Sequence, residues 1–296
     1  GFLTMDPHNG YILAWVGGID HRFFKYDHVT SQRQVGSTFK PFVYANALEK
    51  GAKPCDYYPN DSLVYENYDD WSPNNANREY GGVYSLQGAL VNSVNTISVQ
   101  VLMEGGIDST IQLAKDMGIH ADFPKVPSLA LGTMNASVLE MAEAYSGFAN
   151  HGKPVPGKML LRIENENGKV LEDFKSNNNT RQVVNEKVSE QVTMMLKNVV
   201  NRGTASSLRE NFNFSGDVAG KTGTTQDHAD GWFVGYTPNL VFASWVGAEY
   251  PLIHFENLTY GQGAATALPI AGYFLDQLYA RHPDSKYLAD FNYNLI

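Results

Sequence analysis

Ser37-Thr38-Phe39-Lys40, Ser93-Val94-Asn95 and Lys221-Thr222-Gly223-Thr224-Thr225 follow one another along this 296-residue chain. Their residue types describe a serine nucleophile served by a lysine base, with no histidine. Three residues apart at the start of a helix, Ser37 and Lys40 lie on one face, so the hydroxyl can hand its proton to the amine directly. A serine at a helix N-terminus also gains from free backbone N–H groups and the positive dipole end, which favour a developing oxyanion. Lys40 can act as a base only if it is neutral near pH 7, far below its ordinary pKa of about 10.4. Burial and a second cation both push in that direction, and Lys221 is the candidate cation.

Ser93 and Asn95 bracket a break in a helical region. A serine there can relay a proton between Lys40 and a leaving amine. Asn95 can hold a substrate amide and the lysine through its two-sided hydrogen-bonding group. Lys221 to Thr225 reads as the exposed end of a strand, where small residues such as Gly223 let another extended chain approach the edge. Thr222 and Thr224 can bond a carboxylate, with Thr225 beside them, while Lys221 adds charge. The backbone N–H groups of Ser37 and Thr224 would form an oxyanion hole. Each motif is weak alone. S-x-x-K is expected about once by chance in a chain this long, and K-T-G on the order of once in ten such chains. Read singly, they are helix caps, solvated lysines and a hairpin tip.

The elements that must position these residues follow from apolar spacing and turn signals. Phe2–Met5 and Tyr11–Val16 flank the turn cluster Asp6-Pro7-His8-Asn9-Gly10 and predict a hairpin. A helix is expected over about 37–49. Pro41 is tolerated only in a first turn, which places Ser37 at the very N-terminus. Residues 51–82 read as an irregular loop region, and 85–117 as helices broken near Ser93 and at Gly105-Gly106. Ser137-Val138-Leu139-Glu140 is a capping box opening a helix that Gly152 ends. A small hairpin is expected over 158–174 around Asn167-Gly168, and a helix over 186–201. Strands are expected near 217–224, 230–237 and 240–248, and a last helix over 266–281. Strands at both ends with helices between them predict an α+β fold: one antiparallel sheet built from both termini, flanked by helices, with a mainly helical lobe inserted.

Composition narrows the function classes. The 43% hydrophobic content over 296 residues can bury a large core. A formal net charge of −9 argues against nucleic acid, whose binders carry a basic face. The single Cys55 excludes an internal disulfide. No run reaches the roughly 18 apolar residues needed to span a bilayer. The opening Gly1-Phe2-Leu3-Thr4-Met5 is already strand-like and lacks an initiator Met. The expectation is therefore one domain, residues 1–296, cut from a longer protein. No G-x-S-x-G elbow and no H-E-x-x-H appears, so neither a metal nor a cofactor is implied.

Taken together, the three motifs recur in enzymes acylated by penicillin. The chain resembles the transpeptidase domain of a class A penicillin-binding protein. The likeness runs through the Asp6-Pro7 to Gly17-Gly18 hairpin, Arg33-Gln34-Val35-Gly36 before Ser37, and Trp71-Ser72-Pro73 with Asn75. It continues through Gly88-Ala89-Leu90, Ser128 to Gly132, Ala219-Gly220 before Lys221, and Asp230-Gly231-Trp232-Phe233-Val234-Gly235-Tyr236-Thr237-Pro238. The resemblance implies a penicillin-binding transpeptidase fold and a reaction. Ser37 would attack the D-Ala-D-Ala bond of a peptidoglycan stem peptide and expel the terminal D-Ala. An amine from a neighbouring stem peptide would then take the acyl group, and β-lactams would acylate the same serine.

By position, Lys40 would be the general base, Ser93 the relay and Asn95 a substrate contact. Lys221, Thr222, Gly223, Thr224 and Thr225 would form the carboxylate and oxyanion wall. Either Lys40 or Ser93 can take the first proton. The resemblance also implies an extracytoplasmic place at the bacterial cytoplasmic membrane, with the anchor and a glycosyltransferase domain outside this chain. Proteins of cell-wall synthesis are the implied partners. The neighbouring readings are a D,D-carboxypeptidase, a serine β-lactamase (although no E-x-x-L-N segment is present) and a non-catalytic peptide- or β-lactam-binding module.

Overall fold

Short apolar runs bounded by turn residues place strands at both ends of the chain in the computed structural model, which describes residues 1–174, 180–250 and 252–293. Phe2–Met5 (β1) and Ile12–Val16 (β2) form the expected antiparallel hairpin. Arg33–Gln34 (β3) leads through a 3-10 turn, Gly36–Phe39, into α1, Lys40–Glu49. The helix expected from residue 37 thus begins as a tighter turn. Its three-residue period eclipses Ser37 and Lys40, and Pro41 sits in the first turn of α1, where no N–H is lost.

Within the 51–82 stretch, Tyr57–Pro59 (β4) pairs with Val83–Ser85 (β5), a ladder too short to show in the sequence. Leu86–Val91 (α2), Asn95–Gly105 (α3) and Ile107–Asp116 (α4) break at the places anticipated. Asn135–Ala136 (β6) pairs with β3. Val138–Ala149 (α5) opens with both halves of the Ser137/Glu140 capping box formed. Arg162–Glu164 (β7) and Val170–Asp173 (β8) make the small hairpin. Glu186–Arg202 (α6) precedes a short helix that composition did not announce, Ser207–Glu210 (α7). Ala219–Thr224 (β9), Asp230–Thr237 (β10) and Leu240–Gly247 (β11) follow, then Leu258–Gly261 (α8) and Ala267–Arg281 (α9).

The five-stranded sheet has the order β2-β1-β11-β10-β9, antiparallel throughout, so the first strands of the chain are stitched to its last. Residues directly opposite each other in such a sheet point to one face. The row Phe2, Ser244 and Phe233 faces α9: the Phe2 ring lies 5.3 Å from Phe274, and Ser244 Oγ donates to Ala267 O. The row Met5, Val241 and Tyr236 faces α5, where Tyr236 meets Tyr145 edge-on. All eight residues of β10 are buried, as a strand covered on both faces must be. Tyr145 and Phe148 of α5 also pack on Phe42 of α1, which fixes α1 against the sheet layer. The helices α1 to α4 form the lobe inserted between the two ends. This is the α+β arrangement expected. Strand β9, with the lysine motif, stands at the open edge beside the start of α1.

Candidate active site

Gly36 sets the position of Ser37. It takes φ +55°, a left-handed value, and a Cβ there would lie 2.8 Å from Thr224 O and 3.2 Å from Thr224 N. Only glycine meets both demands. The two main-chain segments of the anticipated oxyanion pair, at Ser37 and Thr224, therefore run side by side. Gly223 plays the same part from the other strand. A Cβ there would meet Val35 O at 2.7 Å and the Thr38 side chain at 2.9 Å. Its small size admits the protein's own nucleophile turn on this side, rather than the foreign extended chain expected from sequence. Tyr145 of α5 secures the turn from within, its hydroxyl donating to Thr38 O at 2.7 Å.

Lys40 is fully buried, and its Nζ lies 2.7 Å from Ser93 O, 2.7 Å from Asn95 Oδ1 and 3.1 Å from Ser93 Oγ. Burial holds this amine well below the usual lysine range, and the positive charge of Lys221 adds to the effect. A neutral amine donates two hydrogens and keeps one lone pair. Its two short contacts, to Ser93 O and Asn95 Oδ1, use the hydrogens and leave the lone pair to accept a hydroxyl proton. Lys221 is also fully buried, pushed down to about 7 by burial, and donates to Thr222 O.

Ser93 reaches Lys40 because it takes φ +55° where α2 ends. Its N–H donates to Leu90 O and that of Val94 to Ala89 O, closing the helix and turning the Ser93 carbonyl and hydroxyl inward. The next helix, α3, starts at Asn95, and its N-cap position is Val94, which has no side chain able to cap. Buried Asn75 supplies the cap from 20 residues upstream: its Oδ1 accepts from Asn95 N at 2.9 Å and Thr96 N at 3.2 Å. Asn60 holds Asn75 in turn, accepting from its Nδ2 at 2.7 Å. Asn75 and Asn60 thus position the serine–asparagine turn, a role that no local spacing could reveal.

The structure brings Ser37, Lys40, Ser93, Asn95 and Lys221 to one place, with β9 as its wall. Three details differ from expectation. The Asn95 amide accepts from Lys40 and spends one of its two N–H donors on Asn74 O at 2.7 Å, leaving a single N–H for a substrate. Thr222 Oγ1 donates to Thr204 Oγ1 at 2.9 Å, and Thr224 Oγ1 accepts from Gly263 N at 3.0 Å, so only the latter keeps its hydrogen to offer. Thr225 is buried and turned to Asp230, donating to Oδ2 at 3.1 Å and accepting from the Asp230 N–H at 3.0 Å. Its hydroxyl serves the fold, not a ligand. Among the described residues one histidine–carboxylate group, His151, Glu186 and Glu190, comes within 4.8 Å far along the chain from these motifs. No helix of the described residues is long and apolar enough to cross a membrane.

Comparison with known proteins agrees with this geometry. Residues 1–268 match the family described as the penicillin-binding protein transpeptidase domain. Penicillin-binding protein 1A of Rickettsia typhi is 30% identical over 319 residues, covering 99% of this chain and 40% of its own length. Its counterpart in Neisseria lactamica is 34% identical over 281 residues, covering 90% and 34%. The chain therefore spans well under half the length of these relatives. Among solved structures, penicillin-binding protein 1A from Haemophilus influenzae superposes with a TM-score of 0.86 at 25% identity, covering 96% of this chain and 48% of that one. The PonA1 protein from Mycobacterium tuberculosis, in complex with penicillin V, gives 0.82 at 26% identity, covering 99% and 79%. A family match over nearly the whole chain, on a fold that assembles the three motifs at one sheet edge, establishes that this chain belongs to the penicillin-binding protein transpeptidase domain family.

Proposed function

We propose that the chain is the cross-linking domain of a peptidoglycan D,D-transpeptidase, acting through an acyl-enzyme on Ser37. Ser37 Oγ attacks the carbonyl of the penultimate D-Ala of a stem peptide while its proton passes to neutral Lys40. The backbone N–H groups of Ser37 and Thr224 hold the oxyanion, and Lys221 with Thr224 receives the terminal carboxylate. The C–N bond then breaks, and Ser93 passes the proton to the departing D-Ala nitrogen. An acceptor amine from a second stem peptide attacks the ester, gives up a proton through the same relay and releases Ser37. Asn95 holds Lys40 in line through its oxygen, and the second N–H of its amide, beside the one bonded to Asn74 O, is offered to the substrate amide. β-Lactams would form a stable ester at the same serine. The domain would work on the extracytoplasmic face of the bacterial cytoplasmic membrane, alongside proteins of cell-wall synthesis, with any anchor supplied from outside residues 1–296.

The observation that carries this reading is a buried lysine with a depressed pKa, 3.1 Å from Ser93 Oγ and one turn from Ser37. The test is intact-mass spectrometry after mixing with penicillin, with Ser37→Ala alongside. One long-lived adduct, absent in the variant, is expected. Rapid return to unmodified mass with the drug destroyed would replace this reading with hydrolysis. A folded protein that neither binds nor turns over the drug would leave a non-catalytic module.

A further inference from the structure

We propose that Arg33 and Asp230 form a buried clasp that sets the separation of the two oxyanion-binding N–H groups, making both of them positioning residues for acyl transfer. The inference rests on the acyl-enzyme reading above. Neither side chain approaches the reacting atoms, and the two lie 197 positions apart in sequence. Yet Arg33 stands four residues before Ser37, and Asp230 closes the loop that begins one residue after Thr224.

Asp230 ties off that loop at every available point. Its N–H donates to Thr225 Oγ1 at 3.0 Å, its Oδ2 accepts from Thr225 Oγ1 at 3.1 Å, and its carbonyl accepts from the Thr225 N–H at 3.1 Å. Its Oδ1 accepts from Trp245 Nε1 of the neighbouring strand at 2.9 Å. The end of β9, and with it the Thr224 N–H, is thereby fixed to β10 and β11. The same Oδ1 accepts from Arg33 Nε at 2.9 Å, with the two side chains only 12% and 7% exposed. Arg33 Nη2 and Nη1 reach the carbonyls of Ala248 at 2.8 Å and Glu249 at 3.2 Å, and the guanidinium lies over the Trp245 ring at 4.7 Å.

From this anchor the chain runs to Ser37 in close register with the sheet. Gln34 O accepts from Trp232 Nε1 at 2.8 Å, and then Gly36 meets Thr224. On its other side the same segment is held only by loop and short-strand bonds to residues 132–136. The ion pair, with the Trp232–Gln34 bond, thus fastens the nucleophile segment to β10, the strand against which β9 and its oxyanion donor are paired. Oxyanion donors work at about 2.7–3.1 Å, so a displacement of tenths of an ångström weakens one of them. A guanidinium suits the task because its rigid fork bonds a carboxylate and two carbonyls at once, which an ammonium cannot do.

The experiment uses Asp230→Asn, Arg33→Gln and Arg33→Lys, each checked for folding by circular dichroism. Two quantities are read: the second-order rate of penicillin acylation, and the infrared carbonyl band of the acyl-enzyme made with carbonyl-labelled penicillin. Oxyanion-hole hydrogen bonds lower that carbonyl frequency, so a loosened hole raises it. Asp230→Asn and Arg33→Gln are expected to slow acylation roughly 10- to 100-fold and raise the carbonyl frequency, while Arg33→Lys recovers part of both. An unchanged band with slower acylation would overturn the proposal, since a merely structural role leaves the bound ester's hydrogen bonds intact. Wild-type rates in both charge-removing variants would overturn it as well. If Asp230→Asn does not fold, the two Arg33 variants give the same reading. If the wild-type protein itself forms no adduct, the acyl-enzyme reading fails first, and the clasp with it.

Discussion

Lys40 makes three close polar contacts, which favour a charged amine, yet burial and Lys221 drive it toward neutrality. Burial holds Lys221 down at about 7 and Lys40 well below the usual lysine range, and the charge of Lys221 adds to the fall at Lys40. Replacing Lys221 with Gln removes the cation and lets the Lys40 pKa rise. The acidic limb of the penicillin acylation profile should therefore move to higher pH, in addition to any loss in rate from weaker carboxylate binding. A limb that stayed in place or moved down would show that Lys40 is not the group being titrated. Ser37 and Lys40 were the easiest site residues to find, because a serine–lysine pair has a local spacing. Asn75 was the hardest to assign a role. Its work is to cap a helix that begins 20 residues later, and only the folded chain brings the two together.

Each piece of the site is held by an element whose own start or end is unusual: a 3-10 turn before α1, a left-handed residue closing α2, a borrowed cap on α3, a glycine-bearing edge strand. Tyr145 shows how the core reaches into this set, since the hydroxyl of a fully buried α5 residue holds the Thr38 carbonyl. Tyr145→Phe keeps the packing and leaves that buried carbonyl without this partner. The expected loss is about 1–3 kcal/mol in stability, measured by urea denaturation, together with a several-fold slower acylation. A variant as stable and as fast as wild type would remove Tyr145 from the support of the nucleophile turn. At this scale the sequence was largely legible. The apolar runs of β10 and β11, Pro41 in α1 and the Ser137/Glu140 box in α5 are strong local signals. The two-residue β3–β6 ladder and the four-residue helices α7 and α8 escaped because elements so short carry no period to detect.

Across the whole molecule, burying two lysines leaves a mark on stability. Their folded pKa values lie below the unfolded value, so between about pH 7 and 10 the unfolded chain binds more protons and stability rises with pH. The slope is roughly 1.4 kcal/mol per pH unit for each lysine wholly displaced. Above pH 10 the trend turns, because unfolded tyrosines ionise while Tyr44, Tyr145 and Tyr236 are held protonated by burial. Urea midpoints should climb between pH 7 and 9.5, less steeply in Lys221→Met; equal slopes would contradict the buried-charge account.

The stitching of the first strand to the last has a further consequence, in time rather than in energy. Phe2 pairs with Ser244, so the sheet closes only after almost the whole chain is available, and contacts this distant in sequence form slowly. In the unfolded chain Lys40 is a solvated ammonium with an ordinary affinity for its proton, and Ser37 is an ordinary alcohol. The reactive serine is therefore a product of the assembled fold, not of the Ser37–Lys40 spacing alone.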